Sequence, residues 1–352
     1  MKITQVDLYE VEVPLIPAIA KARVKIYDIT ICRMMTDEGI EGIGESAVYT
    51  LNDADRSALR AQADSYLGKD PLAMQPIGEP MLFECPLLDI TGQAYGIPVH
   101  RLFGAKVRDR VPVSYWSSPM EPEETAAEAV AGARMGFTNH KLKARSWNIV
   151  ETVRLMKEAA GADYTVGVDP NCEFKHLHVA ARLAEELEPF GTVSVLEDPM
   201  LKDHLDWYRL LREKTHIPVA MHFGAPQAKR DRPCQSGDVL KALKAECIDG
   251  ACLGGTAQEI VAAAAVLEAD DLPCWVQMGG VCLGVLAAYS VHLQCTIRNA
   301  TMPCDELPFV READVLGGGL VLDKGHFVVP DGPGLGVKLD MEAVEAHLVR
   351  SY

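Results

Sequence analysis

The sequence carries no Cys-x-x-Cys pair, no basic stripe and no low-complexity tract, and each absence removes a class of function. Its ten cysteines stand singly, mostly inside apolar runs, as at Cys32, Cys252, Cys282 and Cys295. They read as reduced packing residues of a cytoplasmic protein. The most apolar windows, such as 257–267, are broken by polar residues well short of the ~20 that cross a bilayer, so no membrane partner is expected. Met1 leads directly into a strand-like stretch, and no signal peptide is expected. Positive charge is also scarce, with 34 Lys and Arg against 50 Asp and Glu and a net charge of −16. That balance argues against nucleic acid and against anionic membranes. An anionic substrate would have to be drawn in by local lysines and a cation.

What is present is ample apolar content, 48% of 352 residues, and a pattern repeated four times across residues 140–224. A β-rich apolar run ends in polar groups, and a helical stretch follows. The ends are His140-Lys141-Leu142-Lys143, Val168-Asp169-Pro170-Asn171, Leu196-Glu197-Asp198-Pro199 and Ala220-Met221-His222. Lys143, Asp169, Glu197 and His222 follow one another at 26, 28 and 25 residues. A (β/α)8 barrel allots roughly 31 residues per unit, and its chemistry sits at the strand C-termini. The spacing therefore predicts parallel strands that deliver these four side chains to one barrel mouth.

Alternation over 2–13, and strand-like stretches at 27–36 and 40–47, predict a three-stranded meander. Helices near 53–67, 70–78 and 84–95 complete an α+β capping domain over 1–110. Residues 108–116 read as the first barrel strand, and 111–319 as the barrel. Its helices are expected at 122–136, 148–161, 174–189, 205–215, 238–246, 257–269 and 281–294. A sixth strand is expected at 247–253 and a seventh at 273–278. A short eighth-strand region precedes Asp305-Glu306. Within 320–352, a hairpin at 320–330 is expected to return to the cap, with a final helix at 340–350.

Lys-x-Lys, Asp-x-Asn and Glu-Asp-Pro on consecutive strands resemble the enolase superfamily in its mandelate racemase and muconate cycloisomerase branch. Residues 84–92 with Gly96-Ile97-Pro98-Val99 and Leu102-Phe103-Gly104 are similar to that family's end-of-cap signature, and 331–337 to its C-terminal one. The resemblance implies a modified (β/α)7β TIM barrel under a cap. It also implies a lyase or isomerase that removes the proton α to a carboxylate through an enediolate, using Mg²⁺, with Mn²⁺ or another divalent ion as alternatives.

Asp169 and Glu197 supply two converging carboxylates, which without a cation would repel and push one to a raised pKa. A hard divalent ion with oxygen ligands relieves this. Lys141 and Lys143 point the same way along a strand. Beside each other and beside a cation, both are expected to have lowered pKa values, and a lysine near neutrality serves as a base. By resemblance, Lys143 is the base and Lys141 its neighbour at the substrate carboxylate. Asn171 is expected to orient ligand or substrate, Trp116 to wall the substrate, and Glu306 to meet it. Lys21 lies in a loop at 14–24 that, by resemblance, closes over the site.

The pattern also departs from the family. Where a third carboxylate ligand is usual, this chain has His222, open to three roles: metal ligand, general acid, or mark of an impaired site. No lysine ends the sixth strand and no histidine the seventh. One base with an acid suits a dehydratase or cycloisomerase acting on a small hydroxy acid, sugar acid or related amino acid. A racemase or epimerase is the alternative among enzymes. A lapsed barrel that only binds a small carboxylate is the alternative from another class. Such barrels commonly form symmetric homo-oligomers.

Overall fold

Two sheets of opposite character organise the chain, whose computed structural model describes residues 1–22, 27–48, 51–224 and 236–352. The first is antiparallel. Strands β1 (Ile3–Val11), β2 (Asp28–Thr36) and β3 (Glu41–Val48) form the expected meander, with the short helix α1 (Pro17–Ala22) between the first two. Helix α2 (Asp53–Asp64) starts with Asn52 and Asp55 each accepting the other's backbone N–H, a capping box that satisfies two otherwise orphaned donors. Helix α3 (Met81–Tyr95) packs flat on the meander, and the single turn α4 (His100–Phe103) follows. Contact between α3 and β3 needs bare backbone: a Cβ on Gly44 would lie 2.5 Å from the Leu82 carbonyl.

The second sheet is parallel. After β4 (Arg110–Pro112) come β5 (Tyr115–Ser117), β6 (Asn139–Lys143), β7 (Thr165–Asp169), β8 (Val193–Glu197), β9 (Val219–Phe223), β10 (Gly250–Leu253) and β11 (Cys274–Val276). Strands β5 to β11 are hydrogen-bonded in sequence order. Residues 302–305 close the ring. Met302 and Asp305 donate backbone N–H groups to Cys274 and Val276 at 3.2 and 3.3 Å, while Cys304 exchanges hydrogen bonds with Pro112 and Ser114 at 2.8 and 3.0 Å. Around it run α5 (Pro122–Arg134), α6 (Ile149–Ala160), α7 (Leu177–Leu187), α8 (Leu205–Arg212), α9 (Ser236–Lys244), α10 (Ala257–Glu268) and α11 (Gly284–Gln294). This is a TIM barrel with a cap.

Strand alternation divides the core in two. Outward residues Leu142, Val166, Val168, Leu196, Val219, Met221 and Leu253 merge with the helices in one large cluster. Inward residues Val195, Ala220, Cys252 and Trp275, with Met302 against them, make a separate plug inside the barrel. Two buried carboxyls tie the cap to the barrel and to the C-terminal segment. Glu45 of β3 accepts the N–H groups of Leu283 and Leu286 at the start of α11, at 2.6 and 2.8 Å. Asp89 of α3 accepts those of Ile43 and Leu335, at 3.1 and 2.9 Å. The signature stretches at 84–92 and 331–337 therefore touch: Gly334 (φ +69°) sits so close that a Cβ would be 2.1 Å from the Asp89 carboxylate.

Several expectations are corrected. Residues 108–116 are two strands, since β4 leaves the barrel to pair with a hairpin. That hairpin, β12 (Leu322–Asp323) and β13 (His326–Val328), does not return to the cap. It covers the barrel end opposite the strand C-termini, where the Gly325 carbonyl accepts the Val113 N–H at 2.9 Å. The final helix is only α12 (Met341–Ala346). Leu348-Val349 then enter β14 (Leu348–Ser351), which takes the open edge of β1. The sixth strand begins at Gly250 because the N–H of Cys247 still closes α9 on Ala242, and Asp249 is held by Arg212 at 2.5 Å. Residues 70–78 give one 3₁₀ turn at Pro71–Ala73, and α3 begins at Met81. Among the described residues no helix is long and apolar enough to cross a membrane.

Candidate active site

Alternation on β6 sends His140 and Leu142 outward and Lys141 and Lys143 into the mouth of the barrel. In register, Lys143 faces Asp169 and Lys141 faces Gly167. From there the Lys141 chain crosses the mouth. Its Nζ contacts Glu197 Oε2, Asp305 Oδ2 at 2.6 Å and Asp169 Oδ2 at 3.4 Å. Lys143 Nζ pairs with Asp169 Oδ2. Lys141, Asp169, Glu197 and Asp305 are all buried, whereas Lys143 keeps 17% of its side chain exposed.

Charges separate the two strand-end carboxyls. Against the upward pull of burial, Lys143 and Lys141 hold Asp169 below the usual range. Burial and the neighbouring Asp169 charge push Glu197 up to about 8. One raised carboxyl is what a cation-free pair requires. Lys141 goes the other way from the sequence-based expectation. Burial alone would lower its ammonium, but Asp305, Glu197 and Asp169 outweigh burial and raise it. An ammonium among three carboxylates is a fixed cation.

The far side of the mouth is softer. His222 Nδ1 lies 3.6 Å from Glu197 Oε1, and burial, with Lys202 and Lys141 nearby, lowers the imidazole well below its ordinary value. Its strand end is held from below: Asp198 accepts the His222 N–H at 2.9 Å and pairs with Lys202 at 2.6 Å. Cys252 of β10 stands in register with His222. Trp275 of β11 donates its indole N–H to Asp305 at 3.1 Å, and Lys141 Nζ lies 5.7 Å from its ring centre. Three buried polar atoms have no hydrogen-bond partner among the described residues at this mouth: Glu197 Oε1, His222 Nε2 and Asp305 Oδ1. Unsatisfied acceptors of this kind fit a divalent cation. Glu197, His222 and Cys252 bring ligand atoms within 4.8 Å of one another.

The sequence matches the family described as enolase C-terminal domain-like over residues 124–344. The chain belongs to the enolase superfamily, in its mandelate racemase and muconate cycloisomerase branch. D-Galactonate dehydratase of Pectobacterium atrosepticum is similar at 27% identity over 359 residues, 89% of each chain. N-succinyl-L-Arg/Lys racemase of Bacillus cereus is 24% identical over 381 residues, 98% of this chain and 97% of its own. In fold, the chain matches a dipeptide epimerase from Cytophaga hutchinsonii, solved with Mg and the dipeptide D-Ala-L-Val. That match has a TM-score of 0.81 at 23% identity, covering 100% of this chain and 99% of the other.

Within this enolase-superfamily barrel, Lys141, Lys143, Asp169, Glu197 and His222 are brought together. Asn171, in a left-handed turn (φ 49°), donates its backbone N–H to Asp169 Oδ1 at 2.9 Å and so positions that carboxylate. Trp116 is buried with Leu15 and Ile19 of the cap, at the seam between cap and barrel. Two expected site residues lie elsewhere. Glu306 is fully buried and accepts the N–H groups of Met278 and Gly279, at 2.6 and 3.1 Å, and the Ser290 hydroxyl at 3.0 Å. It braces the turn into α11 and has no open side. Lys21 is exposed and pairs with Glu124 at the start of α5. Arg23, and the Ala225-Pro226-Gln227 loop after His222, lie outside the described residues. Sequence reading missed Asp305, Trp275, Asp198 and Lys202. Asp305 carried a usable signal as the residue before Glu306 at an eighth-strand end. Cys252 carried only its inward alternation.

Proposed function

We propose that this enzyme removes the proton α to a carboxylate of a small hydroxy acid, sugar acid or related amino acid, and then eliminates or isomerises. The observation that carries the reading is the division of labour between the two lysines. Lys141 is buried as a permanent cation among three carboxylates, and Lys143, paired only with Asp169, borders solvent. Lys141 suits a fixed counter-charge for a substrate carboxylate. Lys143 suits the mobile role: unpaired from Asp169 and neutral, it accepts the α-proton at Nζ and carries it as the ammonium.

Asp169, Glu197 and His222 would hold a divalent ion, Mg²⁺ by analogy with the complexed epimerase, which would supply positive charge for the negative charge growing on the substrate carboxylate. His222 suits a ligand better than an acid, because a buried imidazole with lowered pKa is neutral and offers a lone pair. The wall opposite Lys143 offers Cys252, Trp275 and Gln277, none an ordinary base, which favours a single-base elimination or cycloisomerisation over racemisation. The relatives' names support both a sugar-acid dehydratase and an amino-acid racemase. Free buried thiols support a reducing, cytoplasmic setting.

The test is α-proton exchange in D₂O, followed by NMR across hexonates, N-acyl amino acids and dipeptides. Wild type should exchange or eliminate at least one class, and Lys143→Ala should lose roughly 10²–10⁴-fold of that rate. Exchange without elimination would move the racemase reading ahead. Equal rates in wild type and Lys143→Ala would remove Lys143 as the base.

A further inference from the structure

We infer that Cys252 is a metal ligand, and that with Glu197 and His222 it makes the site one for a thiophilic divalent ion, Zn²⁺ or a first-row neighbour, over Mg²⁺. This rests on the metal-assisted reading above and changes both its ligand set and its ion. The three residues end adjacent strands β8, β9 and β10, and all point into the barrel. Their ligand atoms lie within 4.8 Å of one another, with His222 Nδ1 and Glu197 Oε1 3.6 Å apart. Ion–ligand bonds of about 2.0–2.3 Å place tetrahedral donors ~3.5 Å apart, so this pair already has the required spacing.

Independent observations point to a missing occupant. Glu197 Oε1, the oxygen that faces His222 Nδ1, is buried without a hydrogen-bond partner among the described residues. The Cys252 sulfur is wholly buried, and its polar contact is Gln277 Oε1 at 4.0 Å, the outer limit for sulfur. Binding breaks the S–H bond, leaves the electron pair on sulfur for the ion, and releases the proton to buffer.

Donor chemistry sets the ion. Mg²⁺ takes oxygen ligands and binds thiolate poorly, whereas one carboxylate, one imidazole and one thiolate form an N/O/S set suited to Zn²⁺ or Co²⁺. Three protein ligands also leave a fourth position open, as catalytic zinc sites do.

The test is Co²⁺ titration of the chelator-stripped full-length protein by absorption, with Zn²⁺ and Mg²⁺ titrated by calorimetry. The expected result is one Co²⁺ per chain with a near-ultraviolet thiolate-to-cobalt charge-transfer band, and Zn²⁺ bound far more tightly than Mg²⁺. Cys252→Ser, nearly volume-matched, should lose the band and roughly a hundredfold of Zn²⁺ affinity. Cys172→Ser, at a partly buried free cysteine outside the three-ligand set, should keep both. If Cys252→Ser fails to fold, the wild-type band and ion preference decide alone. One bound ion lost in Asp169→Asn, with no thiolate band and with Mg²⁺ preferred, overturns the Cys252 assignment and leaves the metal-assisted reading standing. No divalent ion bound at millimolar concentration overturns both.

Discussion

The two halves of the barrel mouth are built by different physics. From β6 to β8, charges meet charges: Lys143 on Asp169, and Lys141 among Asp169, Glu197 and Asp305. From β9 to β11, neutral or soft groups take over: His222, Cys252, Trp275, and behind them Glu306 in a cage of hydrogen-bond donors. Buried ions hold their positions only while each partner is present. Hydrogen-bonded neutral groups hold theirs as long as no proton is lost. The first half should therefore answer to loss of a partner, and the second to pH.

Lys141 offers the strongest way to break this contrast. Lys141→Met fills similar volume but takes the ammonium from Glu197 and Asp305 and leaves Asp169 with Lys143 alone, and removing one partner of a buried pair costs about 3–5 kcal/mol. Lys143→Met touches only Asp169, which keeps Lys141 at 3.4 Å, at a partly exposed position, and should cost clearly less. Urea denaturation in a metal chelator at neutral pH measures both. If the two variants unfolded at the same midpoint, the carboxylates would be held by protonation, and the ionic account of this half would fall.

The same division decides what was legible in the sequence. Lys143, Asp169 and Glu197 are charged residues ending apolar runs at 26- and 28-residue spacing, a pattern with few other causes. Fold class followed from that spacing and from the signature stretches, which in the fold lock together through Asp89 and Gly334. The second half has no such contrast. Cys252 sits in Ala251-Cys252-Leu253, where an inward thiol and an outward methyl look alike to composition. Asp305 has a local signal in the end of the eighth-strand region, but its place beside Lys141 comes from 302–305 closing the ring, a long-range pairing. Glu306, one residue on, faces away for the same reason, and taking it for a substrate residue came from placing the strand's end without its neighbours. The lowered Lys141 pKa is expected beside a cation, whereas the protein groups alone raise it, most of all Asp305, which only ring closure brings beside it.

pH sharpens the comparison from the other side. Burial pushes the Glu306 carboxyl up to about 7 from an ordinary 4.5. The folded chain keeps this proton to higher pH than the unfolded chain does. The stability it contributes is therefore fully present below pH ~4.5 and is lost as pH rises through about 7, by on the order of 3 kcal/mol. Glu306→Gln keeps an acceptor for Met278 and Gly279 and cannot titrate. Its unfolding free energy should depend less steeply on pH between 5 and 7 than that of wild type, as read from chemical denaturation across that range. Parallel curves would mean the carboxylate is ionised in the fold, held by Met278, Gly279, Ser290 and the Cys282 thiol, and that the far side is as ionic as the near one.

The smallest test sits where the halves join. Trp275 donates to Asp305, and Asp305 in turn holds Lys141, so the indole N–H links the soft wall to the ionic network. Trp275→Phe removes that donor from a buried carboxylate, at about 1.5–3 kcal/mol for a hydrogen bond to a charged group. Combined with Lys141→Met, the loss should be less than the sum, since without Lys141 the Asp305 charge has lost its partner and can take up a proton. A coupling of about 1 kcal/mol in that double-mutant cycle is the expected reading. Strict additivity would separate the indole from the ion network and make Trp275 a packing residue of the barrel plug alone.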